Sequence, residues 1–248
     1  MSIIENRTLE RYEFKYFLRS DVCNEIINHV KNFMSLDKFA EKIPSKNYFV
    51  RSIYFEDELN SNFDEKINGF RIRKKFRIRY YNENLNNDPI YLETKGRNLE
   101  RTYKRRVKID QNDLKAIEEN KSLNLLLSKY PDSQTIKEFV FEYYKKKLKP
   151  KVLIDYNRKP FVNNHGLYFR LTFDQNLSCV KLSNSLKNIS VNQIIKCKAG
   201  FSILEVKFER TIPLWFHRII QTYNLRRESI SKFVLGMCYT NLGEETSD

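Results

Sequence analysis

Glycine is scarce in this chain, with six residues in 248, and no stretch is rich in Gly or Ser. Modules on a flexible tether are therefore excluded, and the lack of any fixed-period repeat excludes a solenoid. Long apolar runs are missing too. No segment approaches the ~18 uninterrupted apolar residues that span a bilayer, and the N-terminal MSIIENRTLERYEF has no signal-peptide core. Cys23, Cys179, Cys197 and Cys238 show neither CxxC spacing nor neighbouring histidines, which argues against a zinc site and a disulfide framework. The expectation is one domain over 1–248, in the cytoplasm, with reduced thiols and no transmembrane segment.

What the chain does hold is positive charge: 45 Lys and Arg against 31 Asp and Glu, a formal net charge of +14. That balance points to an anionic partner, whether nucleic acid, lipid or a phosphate-rich small molecule, and its sign alone does not choose among them. Periodicity adds more. Aromatic and β-branched residues alternate with charged ones at 11–18, 48–56, 70–82, 90–97, 102–110, 151–161, 167–175 and 201–208, which read as strands. Helical spacing follows Ser20 and Asp21, and recurs at 111–129, 135–148, after Pro213 and at 229–240; 183–200 reads as a surface excursion. The expected fold is α+β: a closed antiparallel barrel of about eight strands with helices packed outside and at the C-terminus.

A basic strand face is ordinarily a solvated one. Here the same alternation returns on strand after strand: Arg11, Glu13 and Lys15, Arg77 and Arg79, Glu93, Lys95 and Arg97, Lys104 and Arg106, Arg158, Arg170 and Asp174, Glu205 and Lys207. Helices need apolar surface to pack on, so the apolar set should face them and the charged set should face a lumen. Cations so confined repel one another unless an anion and a few carboxylates compensate them. Guanidinium forks and lysine ammoniums are suited to phosphate oxygens, and i, i+2 spacing along a strand matches a linear chain of phosphates.

Taken in order, YEFKYFL, SIYFED, EKINGFRIRKKFRIRYYN, IYLETKGR, YKRRVKI, YNRKPF, LYFRLTFD, ILEVKF and ISKFVLGM resemble the polyphosphate-polymerase (VTC) domain of the triphosphate tunnel family, from Arg11 to about Gly236. The resemblance implies a tunnel in which ATP binds among basic side chains, a divalent metal (Mn²⁺ or Mg²⁺) is held by a glutamate, and phosphoryl transfer lengthens polyphosphate. It assigns phosphate contacts to Lys15, Arg77, Arg79, Arg158 and Arg170, substrate contacts to Lys95, Lys104, Arg106, Tyr156, Lys207, Ser231 and Lys232, and the metal to Glu205 with Glu13. Arg71 and Arg73, a second RxR, read as an exterior or mouth-facing pair.

Hydrolytic members of that superfamily open with ExExK, where this chain has Arg11, Glu13 and Lys15. Losing one carboxylate reduces metal capacity there and favours phosphate binding over water activation. The regulatory and membrane domains attached to eukaryotic relatives are not expected. The partners implied are ATP and inorganic polyphosphate or pyrophosphate, with no specific nucleic acid. Two rivals remain open at this point: a triphosphate, polyphosphate or nucleoside-triphosphate hydrolase on the same tunnel, and a non-catalytic polyanion- or RNA-binding module. Only the rival without catalysis dispenses with Glu205.

Overall fold

The computed structural model describes residues 12–81, 89–99, 101–119, 123–163, 166, 168–183 and 193–243. Arg11, His165 and half of the expected excursion at 183–200 lie outside them. The elements run β1 (Tyr12–Arg19), α1 (Ser20–Val30), β2 (Ser35–Leu36), α2 (Lys38–Glu41), β3 (Tyr48–Glu56), α3 (Ser61–Ile67), β4 (Ile72–Tyr81), β5 (Ile90–Asn98) and β6 (Arg101–Ile109). After these come α4 (Gln111–Glu118), α5 (Asn124–Lys129), α6 (Gln134–Lys146), β7 (Lys149–Val162), β8 (Phe169–Lys181), β9 (Ile195–Lys196), β10 (Phe201–Phe208), α7 (Leu214–Thr222) and α8 (Lys232–Tyr239).

Every strand expected from alternation is present. The helix expected over 111–129 is two helices, the first opened by a capping box between Asp110 and Asp113. The short β9 was not foreseen; two residues carry no readable alternation. Among the described residues no helix is long and apolar enough to cross a membrane, and none of the four cysteines forms a disulfide.

Strand order is β1-β10-β8-β7-β3-β4-β5-β6, with β2 beside β7 and β9 beside β8. No pairing among the described residues joins β1 to β6, so the closed barrel expected from the sequence is corrected to a large antiparallel sheet whose hydrogen-bonded path has two ends. The sequence at one end supplies a reason. Strand β6 reads RTYKRRVKI, and a row of like charges on an edge strand opposes the approach of another strand.

Contacts divide the chain into two compact units: Met1–Tyr48, Asn157–Asn176 and Lys198–Ile230 form the first, and Phe49–Tyr156, Leu177–Cys197 and Ser231–Asp248 the second. In the first, Tyr16, Leu18, Leu171, Phe173, Leu204 and Val206 form one face of β1, β8 and β10. That face packs with Cys23, Ile26 and Val30 of α1 and Phe216 and Ile219 of α7. The second unit buries Ile53, Phe55, Phe76, Ile78 and Leu92 beneath Leu114, Ile117, Leu126, Ile136, Phe139 and Val140 of α4, α5 and α6. Phe139 meets Phe55 and Phe76 edge-on, with ring centroids 5.2 and 5.5 Å away. At roughly 1.5–3 kcal/mol per fully buried large apolar side chain, these faces dominate the favourable side of folding. Each unit therefore turns its apolar strand face to helices and leaves its charged face on the other side, the orientation expected from the sequence.

Candidate functional site

In the second unit the antiparallel register sets Tyr54 opposite Arg77, Arg77 opposite Glu93 and Glu93 opposite Arg106, while Ser52 lies opposite Arg79. Side chains in one register row share a face and meet. The Arg77 guanidinium donates from Nε to Glu93 Oε2 at 2.7 Å and from Nη1 to Tyr54 Oη at 2.9 Å. Arg79 donates to Ser52 Oγ at 3.2 Å and to Tyr156 Oη at 3.1 Å. Lys104 Nζ lies 2.7 Å from Glu93 Oε1. Lys232 stands over the Tyr156 ring at 5.0 Å, and Arg106 over Tyr91 at 4.7 Å.

Glu93, 1% exposed, is thus one carboxylate among several cations. Burial pushes its carboxyl up, but Arg77, Arg79 and Lys104 outweigh burial and hold it well below the usual carboxylate range. Burial also pushes the Tyr54 phenol up, and Arg77 and Arg79 again prevail and lower it. Lys104 is pushed down to about 7 by desolvation, with Arg77 and Arg79 adding to the push and Glu93 resisting it. Since 42% of its side chain faces water, solvent screens part of that push.

Other expected residues of this unit are placed as follows. Lys95 is exposed in the row between Lys75 and Lys104. Ser231 is the N-cap of α8, its hydroxyl accepting from Val234 N, so its first task is structural. Arg73 lies near the start of β4 opposite Arg97, at the parity of Arg77 and Arg79 and therefore on their face, which sets aside the exterior alternative for it. Only Arg71 precedes the strand and is exposed.

The first unit carries a different constellation. In register, Glu13 faces Lys207 and Lys15 faces Glu205 across β1 and β10, while Glu205 faces Thr172 and Lys207 faces Arg170 across β10 and β8. Arg158 grips Asp174 with two bonds of 2.7 Å and reaches Glu205 Oε2 at 3.5 Å. Lys207 Nζ sits 3.5 Å from Glu13 Oε2 and 3.7 Å from Glu205 Oε2. Lys15 pairs with Glu13 at 3.0 Å and donates to the Ile230 carbonyl at 2.9 Å. Arg170 is turned to Asp37 at 2.9 Å, the carboxylate that caps α2 through Phe39 N and Ala40 N.

Both expected metal-ligating glutamates aim an oxygen at one cationic atom, the Lys207 ammonium. Beside Glu205, the buried Thr172 hydroxyl makes no hydrogen bond. Carboxylate and hydroxyl oxygens are hard donors, and a Mg²⁺-like ion bound by one or two carboxylates takes its remaining ligands from water and substrate phosphates. Glu13 and Glu205 fit that requirement, with Lys207 displaced from between them. Among the described residues there is no group of three or more His, Cys, Asp or Glu able to hold a metal by itself.

Sequence reading passed over Tyr54, Ser52, Asp37 and Thr172 as site residues. For Tyr54 and Ser52 a signal existed: they lie two apart in a strand, on the face opposite the apolar Ile53 and Phe55. Asp37 is a loop residue that only the tertiary fold brings to Arg170.

The model of the VTC domain family matches residues 10–241. Among solved structures, a Bacillus halodurans protein described as a candidate adenylate cyclase is similar at 12% identity, covering 88% of this chain and 92% of that one, with a TM-score of 0.50. A protein of Pyrococcus horikoshii OT3 is also 12% identical, over 91% of this chain and 97% of that one, with a TM-score of 0.47. No curated protein matches the sequence. With nearly the whole chain matched, residues 10–241, it belongs to the VTC domain family.

Proposed function

We propose that the protein is a metal-dependent polyphosphate polymerase that transfers the γ-phosphoryl group of ATP to a growing chain of inorganic polyphosphate. The observation that carries this reading is the group of Arg77, Arg79 and Lys104 around the single, buried carboxylate of Glu93. Its cations outnumber its acid, and an incoming polyanion supplies the charge that the group lacks.

A terminal oxygen of pyrophosphate or polyphosphate attacks the γ-phosphorus, and the bond from phosphorus to the β–γ bridging oxygen breaks with its electron pair leaving on ADP. The attacking oxygen is already anionic, so no side chain needs to remove a proton. Arg77 and Arg79 are held in place before substrate arrives, by Glu93 and Tyr54 for the first and by Ser52 and Tyr156 for the second. Preorganised donors of this kind stabilise charge on a transferring phosphoryl group without reorganisation at the moment of reaction. Lys104, beside them, supplies a mobile positive charge. Glu13 and Glu205 would hold the divalent cation, which when bound neutralises phosphate charge; Arg158, Lys15 and Arg170 are assigned to phosphate contacts.

Incubation with ATP, a pyrophosphate primer and Mn²⁺ tests the reading. Polymer resolved on a gel, with ADP released in proportion, is the expected result. Stoichiometric release of phosphate without polymer would establish a hydrolase in its place.

A further inference from the structure

Two buried thiols meet in the second unit. Cys179 lies in β8, and Cys197, 18 residues further on, directly follows β9. The antiparallel register sets Cys179 opposite Ile195 and Ser178 opposite Lys196, and the Cys197 amide donates to the Leu177 carbonyl at 2.9 Å. Residues two apart in a strand share a face, so Cys179 and Cys197 are diagonal neighbours on one face of this strand pair. Their sulfurs are 3.2 Å apart. Both residues are buried, Cys179 completely and Cys197 with 3% exposed.

A buried cysteine ordinarily serves as a small apolar residue and is inert. Two features set this pair apart. The sulfurs need approach by only about 1.2 Å to reach bonding distance. One of them also sits at a weak place in the sheet: β9 has two residues and 193–196 are exposed, so that segment opens locally at lower cost than the core strands. The Cys197 thiol donates to Cys179, which lowers the Cys179 thiol against the opposing push of burial, while that bond and burial push Cys197 up. Cys179 is therefore the first of the two to become a thiolate, the form that reacts.

We infer that Cys179 and Cys197 form a reversible thiol–disulfide clasp that locks β9 onto β8 when a peroxide is present. The Cys179 thiolate attacks one oxygen of hydrogen peroxide; the S–O bond forms, the O–O bond breaks, and hydroxide leaves and takes up a proton to become water. The Cys197 sulfur then attacks the sulfur of that sulfenic acid. The S–S bond forms, the S–O bond breaks, and the oxygen leaves with the Cys197 proton as a second water. Together the two sulfurs lose two electrons and the peroxide gains them. A peroxide is the favoured oxidant because it is small enough to reach sulfurs that a bulky disulfide does not. The clasp stands independently of the polymerase reading.

The test treats the full chain with a slight excess of hydrogen peroxide, alkylates the remaining thiols in denaturant and weighs the digested peptides. Cys179 and Cys197 should be recovered joined, Cys23 and Cys238 alkylated, and dithiothreitol should restore all four thiols. Hydrogen exchange reads the consequence: the Cys197 amide should exchange roughly tenfold more slowly in the oxidised protein than in the reduced one. Cys179→Ser should abolish both the joined peptide and the peroxide-dependent slowing. Should that variant fail to fold, the comparison of oxidised with reduced parent decides without it. Both thiols fully alkylated after peroxide, or joining chiefly to Cys23 or Cys238, or conversion to sulfinic acid would overturn the pair. A joined pair with unchanged exchange at Cys197 would overturn the clasp, since the bond would then hold nothing that the fold does not already hold.

Discussion

The two charged clusters use the same residue types in different proportions. In the second unit one acid, Glu93, serves Arg77 and Lys104 from a fully buried position. In the first, Glu13, Asp174 and Glu205 are interleaved with Lys15, Arg158 and Lys207, and Glu13 keeps 31% of its side chain in water. The first cluster is close to balanced, and its carboxylates share a cation. The second is left positive, so its natural complement is an anion. Under the proposed function this difference suits the first to a divalent cation beside phosphate and the second to phosphate alone, and it gives a carboxylate opposite meanings in the two places.

The largest effect expected is on turnover. Replacing Arg77 by Ala removes a donor already aimed by Glu93 and Tyr54, and polymer synthesis should fall by roughly 10²–10³, measured as initial rate at saturating ATP. Activity within a few-fold of the parent would show that the second cluster is not where the transferred group is stabilised.

Next in size is Glu205→Gln. The exchange keeps the shape and removes a charge from the pair facing Lys207, so the Mn²⁺ concentration for half-maximal activity should rise about 10–100-fold, the range seen when groups around a metal site are altered. Titration of Mn²⁺ against rate reads this. An unchanged midpoint would erase the distinction between the clusters, because Glu205 would then be a counter-charge for Arg158 and nothing more.

Glu93→Gln sharpens the comparison from the other side. Breaking a buried pair by removing one partner costs on the order of 3 kcal/mol, so the melting temperature at neutral pH should drop. The sign with pH follows from the low folded-state value of Glu93: its stabilisation is present above the unfolded carboxyl value and is lost as pH falls below it. The parent should therefore lose stability on acidification by a term that Glu93→Gln lacks. Tripolyphosphate should nonetheless raise the variant's melting temperature by more than it raises the parent's. A smaller ligand shift in the variant would contradict the view of Glu93 as a stand-in for the missing anion.

How much of this was legible in the sequence depended on distance along the chain. Strand positions and the facing of Arg77 with Arg79 follow from a period of two, which is local. The strand from Ile72 to Tyr81 puts Arg73 and Lys75 on the face of Arg77 and Arg79, so of the exterior and mouth-facing readings of Arg73 only the second is compatible with the strand. Glu93 was visible as a neutralising acid but not as the centre of a cluster, since its partners come from β4 and β6. The Arg170 to Asp37 pair joins residues 133 apart, and nothing in local periodicity forecasts it. Closure of the sheet was not readable either: strand count fits a barrel or an open path equally well, and pairing at the edges decides.

The smallest effect separates the clusters by their protons. Lys104, pushed down to about 7, is partly neutral at pH 8 in the free protein, and a bound phosphate favours its charged form. Binding above pH 7 must then take up a proton, so tripolyphosphate affinity should weaken as pH rises from 7 to 9, by less than the tenfold per pH unit that one fully coupled proton allows. Water at the side chain reduces the coupling further. Comparison with Lys104→Arg, whose guanidinium stays charged throughout, cancels the ligand's own ionisation. Isothermal titration in two buffers of different ionisation enthalpy should show proton uptake in the parent and less in the variant. Equal uptake in both would place the proton on another group and remove Lys104 from the phosphate contacts of the second cluster.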